Sequence, residues 1–313
     1  MPLLFGIPSA FDFNQKLPSM VTTQNAFLLD MDGVIYREDH LIPGVERFIT
    51  LLQEKEIPFL FLTNNSAPTP EDLLVKLGHL GLKGLTARHF YTSAMNTAEF
   101  LWETHPNCTA YVLGEAGLIG ALQEVKIAND AIAPHYVVVG EGSPSMDKIA
   151  KAHELLEQGA RLVVTNPDAW CPVAGNKTRP GAGALAAFLQ TSSGVRAYYL
   201  GKPNPYMFTR ARKRLMVQPS QEHNVIMVGD TMETDIRGAI EIGMPAYLVL
   251  TGSTSLNSMG DYVYQPTRVL ESIADLIEEI ETGQPSDRMK SPAFQPRAGM
   301  TEPPKKKKRY ATA

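Results

Sequence analysis

The chain has 313 residues, of which 44% are hydrophobic and 20% charged, and its formal net charge is -4. That length admits two domains, and the balance is that of a soluble globular protein. The charge gives no reason to expect a nucleic-acid binder, no apolar run could span a bilayer, and two cysteines, Cys108 and Cys171, could form one disulfide but neither a disulfide framework nor a four-thiolate zinc site.

Residues 1–24 show no clear period and read as an extension over the core. Met1 to Gly6 has no basic region ahead of its apolar residues, so no signal peptide is expected and a reducing cytoplasm is the default location. The apolar run Phe27-Leu28-Leu29 then ends in Asp30-Met31-Asp32-Gly33. A run apolar on both faces reads as a buried strand of a parallel sheet, and its carboxyl end is where open α/β sheets bind ligands. Residues i and i+2 of a strand share a face, so Asp30 and Asp32 could look into one small volume. Taken alone, the pair reads better as a strand ending in a turn.

Arg37 to His40 reads as a polar loop, and Val45, Phe48, Ile49, Leu51 and Leu52 fit one face of a helix. Phe59 to Leu62 is a second buried strand, ending at Thr63-Asn64-Asn65. Thr69-Pro70-Glu71-Asp72 is a helix start, with an N-cap hydroxyl, proline at the first position and then acids. This rhythm predicts a parallel sheet with right-handed crossovers. It restarts with strands at 111–114 and 136–140, a helix between them at 118–125, a helix at 146–158 and a strand at 161–165. An irregular stretch from Asn166 to Gly183 and a helix at 184–189 follow. We place an inserted α/β unit at 96–195, within a core formed by 25–95 and 196–282.

Tyr198 to Pro203 returns to the core, and a helix spans 205–215. Val225 to Gly229 is a buried strand ending at Asp230, Asp235 opens a helix, and Ala246 to Thr251 reads as the last core strand. Val269 to Ile280 reads as a closing amphipathic helix. From 283 to 313 apolar residues are sparse, which predicts disorder. The run Lys305 to Arg309 resembles a nuclear localisation signal and could meet nucleic acid or an acidic surface; a solvated end is the reading adopted.

Three apolar strands thus end in polar residues, at Asp30/Asp32, Thr63/Asn64 and Asp230, and Lys202 lies between two of them. If those strands are parallel neighbours, three carboxylates, a hydroxyl and an ammonium share one edge. Converging acids without a counter-ion are costly. Bound Mg²⁺, which takes carboxylate, water and phosphate oxygens, would resolve the repulsion. Lys202 and Thr63 would then hold phosphate oxygens. Read singly, Thr63 and Asn64 could be plain loop residues and Asp235 an early-helix acid favoured by the dipole.

In order and spacing, D-M-D-G-V at 30–34, T-N-N at 63–65, G-K-P at 201–203 and G-D-T-M-E-T-D at 229–235 resemble the four motifs of haloacid dehalogenase (HAD) superfamily phosphatases of the NagD-like subfamily IIA. Between them, Thr92 to Met95, Ala160-Arg161, Thr165 to Asp168 and Gly183 to Leu185 fit the subfamily, and the resemblance covers about residues 25–280. It implies a doubly wound, Rossmann-like core with a cap inserted between the second and third motifs. By position, Asp30 resembles the nucleophile that forms an aspartyl phosphate and Asp32 the general acid/base. Thr63, Asn64, Asn65 and Lys202 resemble the phosphoryl-binding set. Asp230, Asp30 and the main-chain carbonyl of Asp32 resemble the Mg²⁺ ligands, and Asp235 the outer acid that supports a metal water or Lys202.

Asp32 argues for ester hydrolysis over dehalogenase or phosphonatase chemistry, because the leaving oxygen needs a proton. A phosphomutase, or a non-catalytic regulator on this scaffold, is the alternative. By the same resemblance the stretch 166–183 covers the site. There Asn166, Asp168, Lys177 and Arg179 could meet a leaving group, and Arg179 to Gly183 could aim a helix N-terminus at an anion. The expected partner is a small phosphorylated metabolite: a nucleoside monophosphate first, with phosphoglycolate, glycerol phosphate and pyridoxal phosphate as alternatives. A homo-oligomer through the cap is possible.

Overall fold

The apolar run ahead of Asp30 forms β1 (Ala26–Leu29), all four residues of which are buried. In the computed structural model, which describes residues 25–173, 177–217 and 224–283, a tight hairpin of β2 (Tyr36–Arg37) and β3 (His40–Leu41) replaces the polar loop expected there. Helix α1 (Val45–Glu54) buries the five apolar residues that its period picks out. Next come β4 (Phe59–Thr63) and α2 (Pro70–His79), which opens with a reciprocal capping box between Thr69 and Asp72. β5 (Phe90–Thr92) runs directly into α3 (Ser93–Thr104), where Thr92 is the N-cap.

The insert contributes β6 (Thr109–Leu113), α4 (Ala116–Glu124), β7 (Ala128–Asn129), β8 (Tyr136–Val139), α5 (Met146–Glu157) and β9 (Arg161–Val164). The stretch read as irregular holds an antiparallel hairpin, β10 (Trp170–Val173) with β11 (Lys177–Pro180). Each of its short strands carries a proline and neither alternates polar with apolar residues, which hides it from pattern reading. Then come α6 (Ala182–Ser193) and β12 (Ala197–Tyr199). The chain closes with α7 (Pro205–Arg214), β13 (Val225–Gly229), a π turn over Met232–Ile236, α8 (Arg237–Glu241), β14 (Ala246–Val249), α9 (Leu256–Met259), β15 (Arg268–Leu270) and α10 (Leu276–Thr282).

Two parallel sheets result. The first has the order β15-β14-β13-β1-β4-β5. The chain winds outward from β1 to β5, then outward on the other side from β13 to β15. The winding direction therefore reverses at β1, and the crevice at the reversal is the expected ligand site of such a sheet. Phe27 and Leu29 pack with α1, α2 and α10 on one face, and Ala26 and Leu28 pack with α7 and α8 on the other. This is a doubly wound, Rossmann-like core.

The second sheet has the order β12-β9-β8-β6-β7, with α3 and α4 on one face and α5 and α6 on the other. Strand β12 pairs with β9, so 197–199 belong to this sheet and not to the core segment drawn from 196. At the other end, β14 is not the last core strand. β15 pairs outside it, and Val269 lies in that strand and not in a helix. The apolar spacing runs on through both elements. Buried Arg268 breaks the pattern, because its guanidinium is held by Glu279 of α10 through bonds of 2.9 and 2.5 Å. The extension 1–24 and the basic tail beyond Gly283 lie outside the described residues.

Candidate active site

Asp30 follows the last residue of β1, and its N–H donates to Val228 O of β13 at 2.9 Å, which seats it on the edge between the two strands. Asp230 follows β13 directly, and Thr63 is the last residue of β4. The three neighbouring strands therefore deliver their polar ends to one edge, as the sequence predicts. Lys202 reaches that edge from the segment between β12 and α7. Its Nζ lies 2.5 Å from Asp30 Oδ1, 2.7 Å from Asp235 Oδ1 and 3.0 Å from Leu62 O, and the residue is 2% exposed. The contact with Asp235 is an ion pair without hydrogen-bond alignment. Asp235 Oδ2 accepts from Thr231 N at 3.1 Å.

One carboxylate oxygen each from Asp30, Asp230 and Asp235 lies within 4.8 Å of the others. Among the described residues a single ammonium, that of Lys202, is paired with this cluster. Burial raises the Asp30 carboxyl well above its ordinary range; Lys202 opposes this, and Asp235 and Asp230 reinforce it. Burial likewise raises Asp235, again against Lys202 and with Asp230. Burial works against the charge on Lys202, but Asp235 and Asp30 outweigh it and hold the ammonium protonated. The cluster is short of positive charge, and its donors are all hard oxygens. That donor set fits a magnesium-like cation. Asp230 is also held in place: Oδ2 accepts from Ser253 N at 2.6 Å and Oδ1 from Thr231 Oγ1 at 3.0 Å. The backbone of Gly252 packs against the same carboxylate so closely that a Cβ there would overlap it.

Asp32 lies apart from this cluster. Its Oδ2 accepts from the Tyr36 hydroxyl at 3.2 Å, and it keeps partial exposure. Burial raises its carboxyl, while Lys76 and the Tyr36 bond pull it back.

Several expected binding residues are committed elsewhere. The Asn64 side chain accepts Lys202 N at 2.7 Å and donates to Lys202 O at 3.1 Å and to the Asp168 carboxylate at 3.2 Å, so it clamps the lysine instead of offering an amide to phosphate. Asn65 is exposed; its N–H donates to Thr63 Oγ1 at 3.1 Å, which leaves the Thr63 hydroxyl proton free to donate. Asn166 is fully buried, and its amide donates to Asn64 O and Glu141 Oε1. It joins cap to core and is not available to a leaving group. Arg179 is held by Glu115 at 3.2 Å and by Cys171 Sγ at 3.1 Å, and the N-terminus of α6 already faces Glu141, which accepts from Ala182 N at 3.4 Å. Lys177 is exposed. Of the four, Asn166 and Asp168 both touch Asn64, and of these two Asp168 keeps partial exposure. Burial raises its carboxyl to about 6, against pulls from Asn64 and Lys202. Both cysteines are free.

Tyr36, Thr231, Glu141 and Ser253 are additions that pattern reading missed. Thr251-Gly252-Ser253 follows an apolar strand, as the other three polar ends do, and that signal could have found it. Thr251 Oγ1 donates to Gly33 O at 2.6 Å and so ties this fourth loop to the Asp30 loop.

Residues 27–128 match the family described as haloacid dehalogenase-like hydrolase, and 199–276 match the one described as HAD-hydrolase-like. The dihydroxyacetone phosphatase of Corynebacterium glutamicum is 38% identical over 260 residues, covering 82% of this chain and 92% of that protein. An acid sugar phosphatase of Staphylococcus saprophyticus is 33% identical over 261 residues, covering 82% and 98%. The structure of NagD from E. coli K-12 superposes with a TM-score of 0.73 at 32% identity, covering 80% of this chain and 97% of that one. With a doubly wound core, an inserted second sheet and an acid cluster at the reversal point, the chain belongs to the haloacid dehalogenase-like hydrolases. Within that family it is a NagD-like phosphatase, a phosphoric monoester hydrolase. No helix among the described residues is long and apolar enough to cross a membrane.

Proposed function

We propose that the chain is a Mg²⁺-dependent phosphatase of small sugar or polyol phosphates that works through an aspartyl phosphate on Asp30. The observation that carries the chemistry is the Lys202 ammonium set between Asp30 and Asp235 at the reversal point, with Asp230 alongside. Asp30 attacks phosphorus, and the leaving alkoxide takes its proton from Asp32. Asp32 then takes a proton from water, which attacks the same phosphorus and frees Asp30 and inorganic phosphate. Lys202 and the Thr63 hydroxyl hold the equatorial oxygens. Asn64 and Asp235 fix Lys202 from two sides. Asp30, Asp230 and the Asp32 carbonyl would hold Mg²⁺, which neutralises phosphoryl charge when bound.

The substrate class rests on two supports. The relatives are named for dihydroxyacetone and acid sugar phosphates. The cap places a carboxylate, Asp168, next to the phosphoryl-binding Lys202 loop, and a carboxylate accepts hydrogen bonds from hydroxyls. This moves the choice from nucleoside monophosphates to short hydroxylated leaving groups. Release of phosphate from dihydroxyacetone phosphate, glycerol phosphate, phosphoglycolate, pyridoxal phosphate and nucleoside monophosphates tests it, and nucleotides ranking first would overturn it. Asp30→Asn should abolish turnover. In kcat/KM, which reports only the steps up to departure of the leaving group, Asp32→Asn should cost roughly 10² to 10⁴ on alkyl phosphates and much less on p-nitrophenyl phosphate, whose leaving group needs no proton. Equal losses on both would remove Asp32 as the acid.

A further inference from the structure

An acid that must serve first as donor and then as base has to present the same oxygen twice. The chain segment after Asp32 is built to hold it. Gly33, at φ 78, turns the backbone so that Ile35 N and Tyr36 N both return to Met31 O, at 2.8 and 3.3 Å, and Gly33 N donates to Tyr36 O at 2.8 Å. The Tyr36 ring is thereby folded back over Asp32, at the root of the β2–β3 hairpin, and is 2% exposed. A buried phenol needs a hydrogen-bond partner, and this one has the Asp32 carboxylate at 3.2 Å. From the other side, Lys76 Nζ of α2 stands 3.7 Å from the ring centroid and presses a cation on the ring face. The ring is thus fixed by backbone closure below and by Lys76 above, and its hydroxyl occupies one specific oxygen, Oδ2.

We propose that Tyr36 is a positioning residue for the proton-transfer step: by occupying Asp32 Oδ2 it fixes the carboxyl so that Oδ1 faces the leaving oxygen and then the water. This rests on Asp32 being the acid, as proposed above.

The test is Tyr36→Phe, which keeps the ring, the Lys76 contact and the hairpin, with its fold checked by a thermal melt. Releasing the carboxyl should lower kcat on glycerol phosphate roughly 10- to 100-fold with KM nearly unchanged, since misplacement by about 1 Å can cost that much. On p-nitrophenyl phosphate the loss in kcat/KM, which reports only the steps up to departure of the leaving group, should stay within about threefold, because that group leaves without a proton. In an Asp32→Asn background the same change should do almost nothing, since both residues act in one unit. Equal losses in kcat/KM on both substrates, no loss on either, or a full loss in the Asp32→Asn background would each overturn the proposal. If Asp32→Asn itself shows no difference between the substrates, the acid assignment fails; if it does and Tyr36→Phe does not, only the role of Tyr36 falls.

Discussion

Replacing Lys202 by methionine tests the electrostatic construction of the site without any substrate. The side chain is 3% exposed, and its ammonium touches two carboxylates at 2.5 and 2.7 Å. Methionine fills similar volume, so the change is mainly one of charge. Removing one partner of a buried ion pair typically costs about 3–5 kcal/mol, because the other charge is left uncompensated. Here two carboxylates are stranded beside a third, Asp230, so the upper part of that range is expected at pH 8 in EDTA. The loss should depend on pH with a definite sign. Asp30 and Asp235 are already raised in the folded state by burial. Without the lysine they rise further, so the folded variant binds protons that its unfolded chain does not. Stability of the variant is then least impaired near the unfolded carboxyl range and falls as pH rises through the folded values. The gap to wild type should therefore narrow as pH falls from 8 toward 5. Mg²⁺ at pH 8 should narrow it too, since a cation replaces the missing charge. Urea unfolding followed by far-UV circular dichroism measures all three. A gap below about 1 kcal/mol, or one equal at both pH values, would refute the buried-pair reasoning.

Three further outcomes follow from the same geometry. Mg²⁺ should raise the melting temperature of the wild type and restore turnover after EDTA, and Asp230→Asn should abolish the thermal shift; an unchanged shift would remove Asp230 from the metal site. Gly252→Ala should cut activity without touching substrate, because its Cβ would overlap the Asp230 carboxylate and push it aside; full activity with normal Mg²⁺ dependence would show that the loop yields. Asp168 is raised from 3.8 to about 6 by burial, so folding favours its protonated form. Its cost is absent below pH 4 and complete above pH 6, an upper bound of about 3 kcal/mol for a rise of about two units. Asp168→Asn should flatten stability between those limits, and an unaltered pH profile in urea unfolding would place the carboxyl in water.

The core was legible because each of its signals is local and physically compelled. A run such as Val225 to Gly229 must be buried on both faces, and all five of its residues are. Thr69 and Asp72 satisfy orphan N–H groups at the start of α2, so the cap predicts the helix. What failed had no local signal. Arg268 in β15 is charged, and only its pairing with Glu279, eleven residues on, makes it a buried strand residue. The β10–β11 pair is set by pairing between the two strands, with Cys171 opposite Arg179, and not by alternation along either strand. Strand β12 joins the second sheet because Ala197 to Tyr199 find β9 as a neighbour, which no composition shift announces.

The same division runs through the site. Polar residues that close a buried strand, such as Asp30, Thr63 and Asp230, could be read from the ends of apolar runs. Whether a polar residue nearby faces substrate or protein could not. Asn64, Asn166 and Arg179 are each suitable for binding an oxyanion or a hydroxyl. In the fold, Asn64 is taken up by Lys202 and Asp168, Asn166 by Asn64 and Glu141, and Arg179 by Glu115 and Cys171. A buried polar group left unpaired costs more than a pair gains. Cap residues packed against the core are therefore drawn into pairs with it first, and only those at the open edge remain for a ligand. Few polar groups then remain for a leaving group, and in the reading proposed above Asp168 is the first of them. That is why the reaction class was readable from the sequence while the leaving group was not.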